Sequence, residues 1–302
     1  MKKIGIIGAG SIGLLFASHL SKAFSVTVFT RTREQANEIT KNGGIILIEN
    51  KQQLLIPVHA LQVDEWVDNE DLTVVAVKQY QLDIVIEKIN KINNCKKNLL
   101  FLQNGMGHLK QLSFVNANNI FVGSVEHGAS KDNTITVRHN GGGAINLAVY
   151  RGDREYLSQI ATKFPSEFPV TIQENYFEML VNKLIVNAVI NPLSAILKVK
   201  NGELISNPFY FMTLESFFGE ISCVLNLKNP QVYLQKIITV CENTADNRSS
   251  MLKDIEMGRK TEVEAILGFL IEEAEKQEKN TPLITTFNNL VKGKEAEKGE
   301  EC

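Results

Sequence analysis

Over the first 150 residues, short apolar runs alternate with stretches in which apolar positions recur every three or four residues. "KIGII" (3–7), "SVTVFT" (25–30) and "LTVVAVK" (72–78) are continuous β-rich runs, the pattern of strands buried on both faces of a parallel sheet. "LLFASHLSKA", "REQANEITKNG" (33–43) and an amphipathic stretch from about 79 to 92 carry helical spacing, the second ending at glycine. "NLLFLQNGMG" (98–107) reads as a strand entering a glycine turn, and "NIFVGSVEHGAS" (119–130) as a further strand. "GGIILIE" and "QLLIPVHA" predict an antiparallel insertion, and "NTITVRHNGGGAINLAVY" (133–150) a hairpin about a glycine-rich turn. The alternation predicts an α/β, Rossmann-like, doubly wound sheet.

From about residue 175 the β-like runs stop. Helical patterns continue to about 290, broken by "NGELISNP", "KNP" and "NTADNRSS". Two prolines among polar residues in "FPSEFPVTIQEN" (164–175) mark the change, so the expected domains are 1–172 and an all-α 173–302. The tail "KGKEAEKGEEC" reads as a solvated charge run.

Within this frame Gly8, Gly10 and Gly13 form G-x-G-x-x-G between a strand and a helix, the context that dinucleotide binding requires. The first glycine permits a tight turn and the second lets pyrophosphate approach the backbone. The third lets helix and strand pack closely. Ser11 and Ile12 open the helix, whose free N–H groups and positive dipole end suit phosphate. The second strand ends "TRTRE", with no acid to take the ribose hydroxyls until Glu34; Arg31 there suits a 2′-phosphate, hence NADPH/NADP+, or is simply a surface arginine. Lys78 and Asn104 follow later strands at the same sheet edge, Lys78 as a second cofactor contact and Asn104 either as a group facing the nicotinamide or as turn chemistry.

In the helical half, "KLIVNAVINPLSAI" (183–196) spaces Lys183, Asn187 and Asn191 four apart on an otherwise apolar helix. The stripe is either a solvated face or the polar wall of a substrate pocket, with Lys183 as proton donor to a carbonyl oxygen. Pro192 is expected to bend the helix. In "NRSSMLKDIEMGRKTEVEAILGFL" (247–270), Thr261 and Glu264 fit a capping box with Glu262 in the first helical turn, and Ser249 or Ser250 fits an N-cap. Asn247, Ser250 and Glu262 have a second reading as substrate ligands.

Composition changes this picture little. The 302 residues are 44% hydrophobic and 22% charged with a net charge of −2, which argues against nucleic acid or a membrane surface as partner. Cys95, Cys223, Cys241 and Cys302 form neither a disulfide framework nor a metal motif, so reduced thiols, no metal and a cytoplasmic setting are expected. The basic, apolar N-terminus imitates a signal peptide but is interrupted by glycines, and no segment is expected to span a membrane.

Taken together, "GAGSIG", "KLIVNAVINPLSAI", "NGEL" and "SSMLKDIEMGRKTE" resemble the ketopantoate reductase (2-dehydropantoate 2-reductase) family along nearly the whole chain. The resemblance implies NADPH-dependent reduction of 2-dehydropantoate, a 2-oxo acid, to pantoate on the route to coenzyme A. It also implies a C-terminal domain like that of 6-phosphogluconate dehydrogenase, with the active site in the cleft between domains. By the same resemblance Lys183 is the general acid and Glu262 its catalytic partner on a substrate hydroxyl. Asn104, Asn187, Asn191, Asn247 and Ser250 contact substrate or the nicotinamide end, and Arg31 and Lys78 contact the adenosine 2′-phosphate region. The chain departs from the family pattern at Glu264 and Leu267, where Asp and Asn are usual. Two alternatives remain: a reductase of another 2-oxo acid or an imine, and a non-catalytic NADP(H) sensor, against which Lys183 and Glu262 together speak. The architecture is compatible with a homodimer through the helical domain, which the sequence does not demonstrate.

Overall fold

The computed structural model describes residues 3–92 and 97–297, so Cys95 and Cys302 lie outside it. The chain divides into two compact units, 1–103 with 110–179, and 104–109 with 180–302.

In the first unit, strands β1 (Lys3–Ile7), β2 (Ser25–Thr30), β5 (His59–Gln62), β6 (Leu72–Val75), β7 (Asn98–Phe101), β8 (Asn119–Val125), β11 (Ile145–Arg151) and β12 (Val170–Ile172) form one sheet. Its order is β12-β11-β8-β7-β6-β1-β2-β5, with every pairing parallel except β11 against β8. The central β1, β6, β7 and β8 are buried almost throughout, while edge β5 alternates between exposed and half-buried. Continuous apolar runs belong to strands covered on both faces, which is why these segments carry no alternation.

A second sheet of order β4-β3-β10-β9 is built from β3 (Ile45–Glu49), β4 (Gln52–Ile56), β9 (Gly128–Lys131) and β10 (Thr136–Gly141). β3 and β4 pair antiparallel, as the insertion predicts. The hairpin expected over 133–150 does not form. β10 pairs with β3 and β9, whereas β11 leaves for the large sheet beside β8. The glycines are a crossing between sheets rather than a turn: a Cβ on Gly143 would stand 2.4 Å from the Glu126 carbonyl oxygen. Helix α1 (Ser11–Leu20) packs against strands of both sheets, so residues 13–20 are all buried. The remaining helices of this unit are α2 (Arg33–Lys41) and α3 (Leu82–Lys91), then a one-turn α4 (Leu109–Leu112) at its border, and α5 (Arg154–Ala161).

The long helix α6 (Tyr176–Leu197) runs unbroken through Pro192, so the expected bend does not interrupt it. Its neighbours from Ala188 to Ala195 are all buried, and this packing compensates for the single hydrogen bond that proline removes. At 22 residues and mean hydropathy 1.6, α6 is long and apolar enough to cross a membrane, which corrects the expectation that no segment is. In the fold 67% of that apolar window is buried, as in a core helix. There follow α7 (Glu203–Ser206), α8 (Pro208–Val224), α9 (Pro230–Asn243), α10 (Ser250–Glu256), a π-turn over Glu264–Gly268, α11 (Phe269–Lys276) and α12 (Pro282–Ala296). Three of these begin with proline, whose missing N–H costs nothing at a first helical position. The charged tail is helical as far as Ala296, and Lys292 pairs with Glu264, so it is not wholly a solvated run. Cys223 and Cys241 are free thiols; burial pushes Cys241 up to about 12, leaving it inert at neutral pH.

Candidate active site

The glycine loop is built as its spacing requires. Gly8 sits at φ +108°, and a Cβ on Gly13 would fall 1.8 Å from the Gly8 carbonyl oxygen, so neither position accepts a side chain. A Cβ on Gly10 would meet nothing within 4 Å, which leaves open space against the backbone at the start of α1. A tight turn, a packed third glycine and an open second one at a helix N-terminus fit a dinucleotide pyrophosphate. Ser11 and Ile12 begin that helix and are half-buried.

Groups from distant parts of the chain fix the loop. The Ala9 carbonyl accepts from Gln35 Nε2 at 3.2 Å and from Lys131 Nζ at 3.0 Å. The Lys131 contact brings a positive charge to the glycine loop. No local motif announces it, because 122 residues separate donor and acceptor. At the end of β2, buried Thr30 bonds the Thr32 and Leu61 carbonyls, and Thr32 caps α2 through Gln35 N. Arg31 is exposed and makes no hydrogen bond or ion pair among the described residues, whereas Arg33 bonds Gln62 at 3.3 Å. Lys78 is half-buried beyond β6, its Nζ 6.0 Å from the centre of the Tyr80 ring. Gln103, which the sequence reading passed over, donates to the Val75 and Val77 carbonyls at 3.0 Å each and ties the ends of β6 and β7 together. A cavity of about 660 Å³ beside Phe24, Ser25, Pro57 and His59 includes none of the glycine loop, Arg31, Lys78 or Asn104; it lies where β2 begins, away from the glycine loop.

The second unit gathers the remaining candidates. Lys183, Asn187 and Asn191 share one face of α6, the first two half-buried and Asn191 only 8% exposed, so the stripe is not a solvated face. Ser194, one turn on, donates to Ser249 Oγ at 2.7 Å, and Ser249 Oγ accepts from Leu252 N as the N-cap of α10. Ser249 is thus the cap, and Ser250 stands exposed as the first residue of α10. Asn247 is exposed, and its backbone carbonyl accepts from Asn201 N at 3.0 Å. Gly202 packs so closely on Ala245 that a Cβ would lie 2.7 Å from the alanine Cβ. The "NGEL" and "NTADNRSS" segments therefore brace one another.

Asn104 and Glu262, 158 residues apart, meet directly: Asn104 Nδ2 donates to Glu262 Oε2 at 2.8 Å. The docking follows from the glycine turn and the π-turn. Gly105 adopts φ +76°, and a Cβ there would be 2.1 Å from the Ala265 carbonyl oxygen. That carbonyl accepts from Met106 N at 3.2 Å. Phe269 N donates to Glu264 O, five residues back rather than four, which locally breaks the α-helical register beside Ala265. The expected capping box is not closed. Thr261 Oγ1 accepts from Val263 N at 3.1 Å, the Thr261 N–H goes to Glu295, and Glu264 turns to Lys292. Glu262 precedes the helix, its carbonyl accepting from Ile266 N, rather than lying in the first turn. Leu267 is fully buried.

Apart from the cysteines, His19, Glu49 and His139 bring ligand atoms within 4.8 Å of one another. Their wide sequence separation hid the grouping.

Comparison with known proteins agrees with this architecture. The family model for ketopantoate reductase PanE/ApbA matches residues 4–152, and the one for its C-terminal domain matches residues 175–295. The 2-dehydropantoate 2-reductase of Bacillus subtilis is 42% identical over 278 residues, 91% of each chain. The crystal structure of the probable 2-dehydropantoate 2-reductase from the same organism superposes with a TM-score of 0.87 at 40% identity, covering 97% of this chain and 99% of that one. A D-mandelate dehydrogenase solved with NADH and anilino(oxo)acetate shares the fold at TM-score 0.87 and 24% identity, over 98% and 99% of the two chains. The chain belongs to the ketopantoate reductase family, PanE/ApbA, whose members are nicotinamide-dinucleotide-dependent oxidoreductases.

Proposed function

We propose that this chain reduces the 2-oxo group of 2-dehydropantoate to the alcohol of pantoate, with NADPH as the preferred hydride donor. The reading is carried by the stripe Lys183–Asn187–Asn191, a half-buried cation, a half-buried amide and a buried amide on one face of an apolar helix in a chain of this family. The Bacillus subtilis relative bearing that enzyme name supports the substrate. When bound, the reduced nicotinamide supplies the hydride to the carbonyl carbon. Lys183 donates a proton to the carbonyl oxygen as it gains negative charge, and the neutral amine is reprotonated from solvent. Asn187 and Asn191 hydrogen-bond the substrate. Glu262, held by Asn104, accepts from the substrate hydroxyl, and Ser250 with Asn247 receives the carboxylate.

The glycine loop, with Ser11, Ile12 and Lys78, receives the cofactor phosphates. Arg31, exposed at the end of β2 with no acid paired to it among the described residues, favours a 2′-phosphate and hence NADPH over NADH. The deciding assay is oxidation of NADPH and NADH with 2-dehydropantoate and with smaller 2-oxo acids. We expect kcat/KM to be highest for NADPH with 2-dehydropantoate. Arg31→Ala should narrow the NADPH preference by about tenfold to a hundredfold, the value of a charge-assisted hydrogen bond. A smaller oxo acid turned over better than 2-dehydropantoate would displace the substrate assignment while keeping the reaction class.

A further inference from the structure

The cluster around α1, β3 and β10 has no part in this chemistry. His19 lies in the last turn of α1, Glu49 ends β3, His139 is in β10, and His127 falls between β8 and β9. Parallel pairing of β3 with β10 through Ile48 and Arg138 carries Glu49 and His139, the next residue on each strand, to the same end of the small sheet. His139 Nδ1 is hydrogen-bonded to Glu49 Oε1. His19 Nε2 stands 3.8 Å from that same oxygen. On its other side, His139 Nε2 lies 2.9 Å from His127 Nδ1. Phe168 backs the group, stacked on His19 with ring centres 4.3 Å apart and tilted against His127 at 4.8 Å.

Two observations separate this group from an ordinary packed histidine cluster. His19 is 1% exposed, yet among the described residues neither of its ring nitrogens has a hydrogen-bond partner; His127 Nε2 is likewise buried without one. Buried polar atoms left unsatisfied are costly and call for an explanation. Second, an unpartnered lone pair on His19 and the Glu49 carboxylate converge with His139 from three separate elements. Two imidazoles and one carboxylate form a donor set for zinc and its neighbours that leaves a position for water, and it does not suit the all-oxygen preference of calcium or magnesium.

We propose that His19, Glu49 and His139 bind a divalent transition-metal ion of the zinc class, with His127 as the outer group that orients His139. Coordination through His139 Nδ1 places that ring's proton on Nε2, from which it is donated to His127 Nδ1, while the proton on His127 Nδ1 moves to its own Nε2. The Glu49–His139 hydrogen bond is replaced by two metal bonds, with no net loss of a proton. This is the histidine-to-outer-acceptor arrangement that fixes tautomer and ring orientation in metal sites. Glu49, with a side chain 26% exposed, is the route of entry. The ion would clamp the end of α1, whose other end carries the glycine loop, onto both central strands of the small sheet.

The test uses the untagged full-length chain, stripped with a chelator and titrated with cobalt(II) as a spectroscopic probe, then with zinc in competition. We expect one cobalt ion per chain with the absorption of low-coordinate nitrogen and oxygen ligation, displacement by zinc, and a higher Tm with metal. Glu49→Gln and His139→Gln should each weaken cobalt binding at least tenfold, and His127→Gln by about tenfold, the usual effect of losing an outer partner. Circular dichroism and Tm of the metal-free variants separate loss of a ligand from loss of fold. Because Glu49 is partly exposed, its glutamine variant keeps the assay interpretable even if the histidine variants unfold. Absence of stoichiometric binding, or binding undiminished in folded Glu49→Gln, would overturn the site.

Discussion

In the proposed reaction Lys183 donates the proton, and its half-buried position on α6 makes a sharp kinetic expectation. Lys183→Ala removes the donor while leaving the glycine loop, Arg31 and Lys78 intact. NADPH affinity, followed by fluorescence titration, should therefore be unchanged while kcat falls by ~10²–10⁴, the span typical of general-acid catalysis. A variant that keeps near-wild-type turnover would strip Lys183 of the role. The stripe was legible in the sequence because its spacing of four is the local geometry of a helix, and a lysine with two amides among apolar residues is anomalous wherever that face points. Its bracing was not. Ser194 to Ser249 and Asn104 to Glu262 are bonds across 55 and 158 residues, and nothing in either partner's neighbourhood names the other.

At the scale of elements, the contact between the 104–109 turn and the π-turn positions Glu262. Gly105 is required there on two counts, its left-handed φ and the Ala265 carbonyl 2.1 Å from where a Cβ would stand. Gly105→Ala should lower stability by about 1–3 kcal/mol, the usual cost of forcing extra atoms into a packed site, and should reduce kcat as Glu262 loses its partner. Asn104→Ala removes the hydrogen bond without disturbing the backbone. If both variants lose activity but only Gly105→Ala loses denaturant resistance, the turn and the bond have separate effects. The β–α alternation of the first half was readable because each strand declares itself by local burial. The 133–150 hairpin was misread for the converse reason: a glycine-rich turn between two β runs is a local signal, and β10 found its partner in β3, about ninety residues earlier. The capping box failed similarly, since Glu295 and Lys292 of α12 outcompeted the local partners of Thr261 and Glu264.

For the molecule as a whole, the buried histidines should contribute to the response to acid. His108 is fully buried with neither ring nitrogen hydrogen-bonded, and burial lowers its pKa from 6.5 to about 4. Burial lowers His19 to about 4 as well, against the opposing charge of Glu49. In the unfolded chain both rings take up a proton below about pH 6.5, whereas in the folded chain they stay neutral until about pH 4. Stability from this source is whole above pH 6.5 and declines as pH falls toward 4, by up to about 3 kcal/mol for a fully buried ring. Urea midpoints at ~pH 7.5 and ~pH 5 should differ markedly in the wild type and by less in His108→Leu, which has no proton to gain. An equal drop in both proteins would show that the acid response arises elsewhere.

The six residues 104–109 belong to the second unit although both flanks belong to the first. Genetic dissection at a single point therefore cannot yield two intact halves: a fragment beginning near residue 175 would lack Asn104, Gly105 and His108 altogether. Chimaeras that exchange C-terminal portions between relatives must transplant this hexapeptide along with its host, or inherit a mismatched partner for Glu262. Grafts that carry it should retain turnover where simple end-swaps do not.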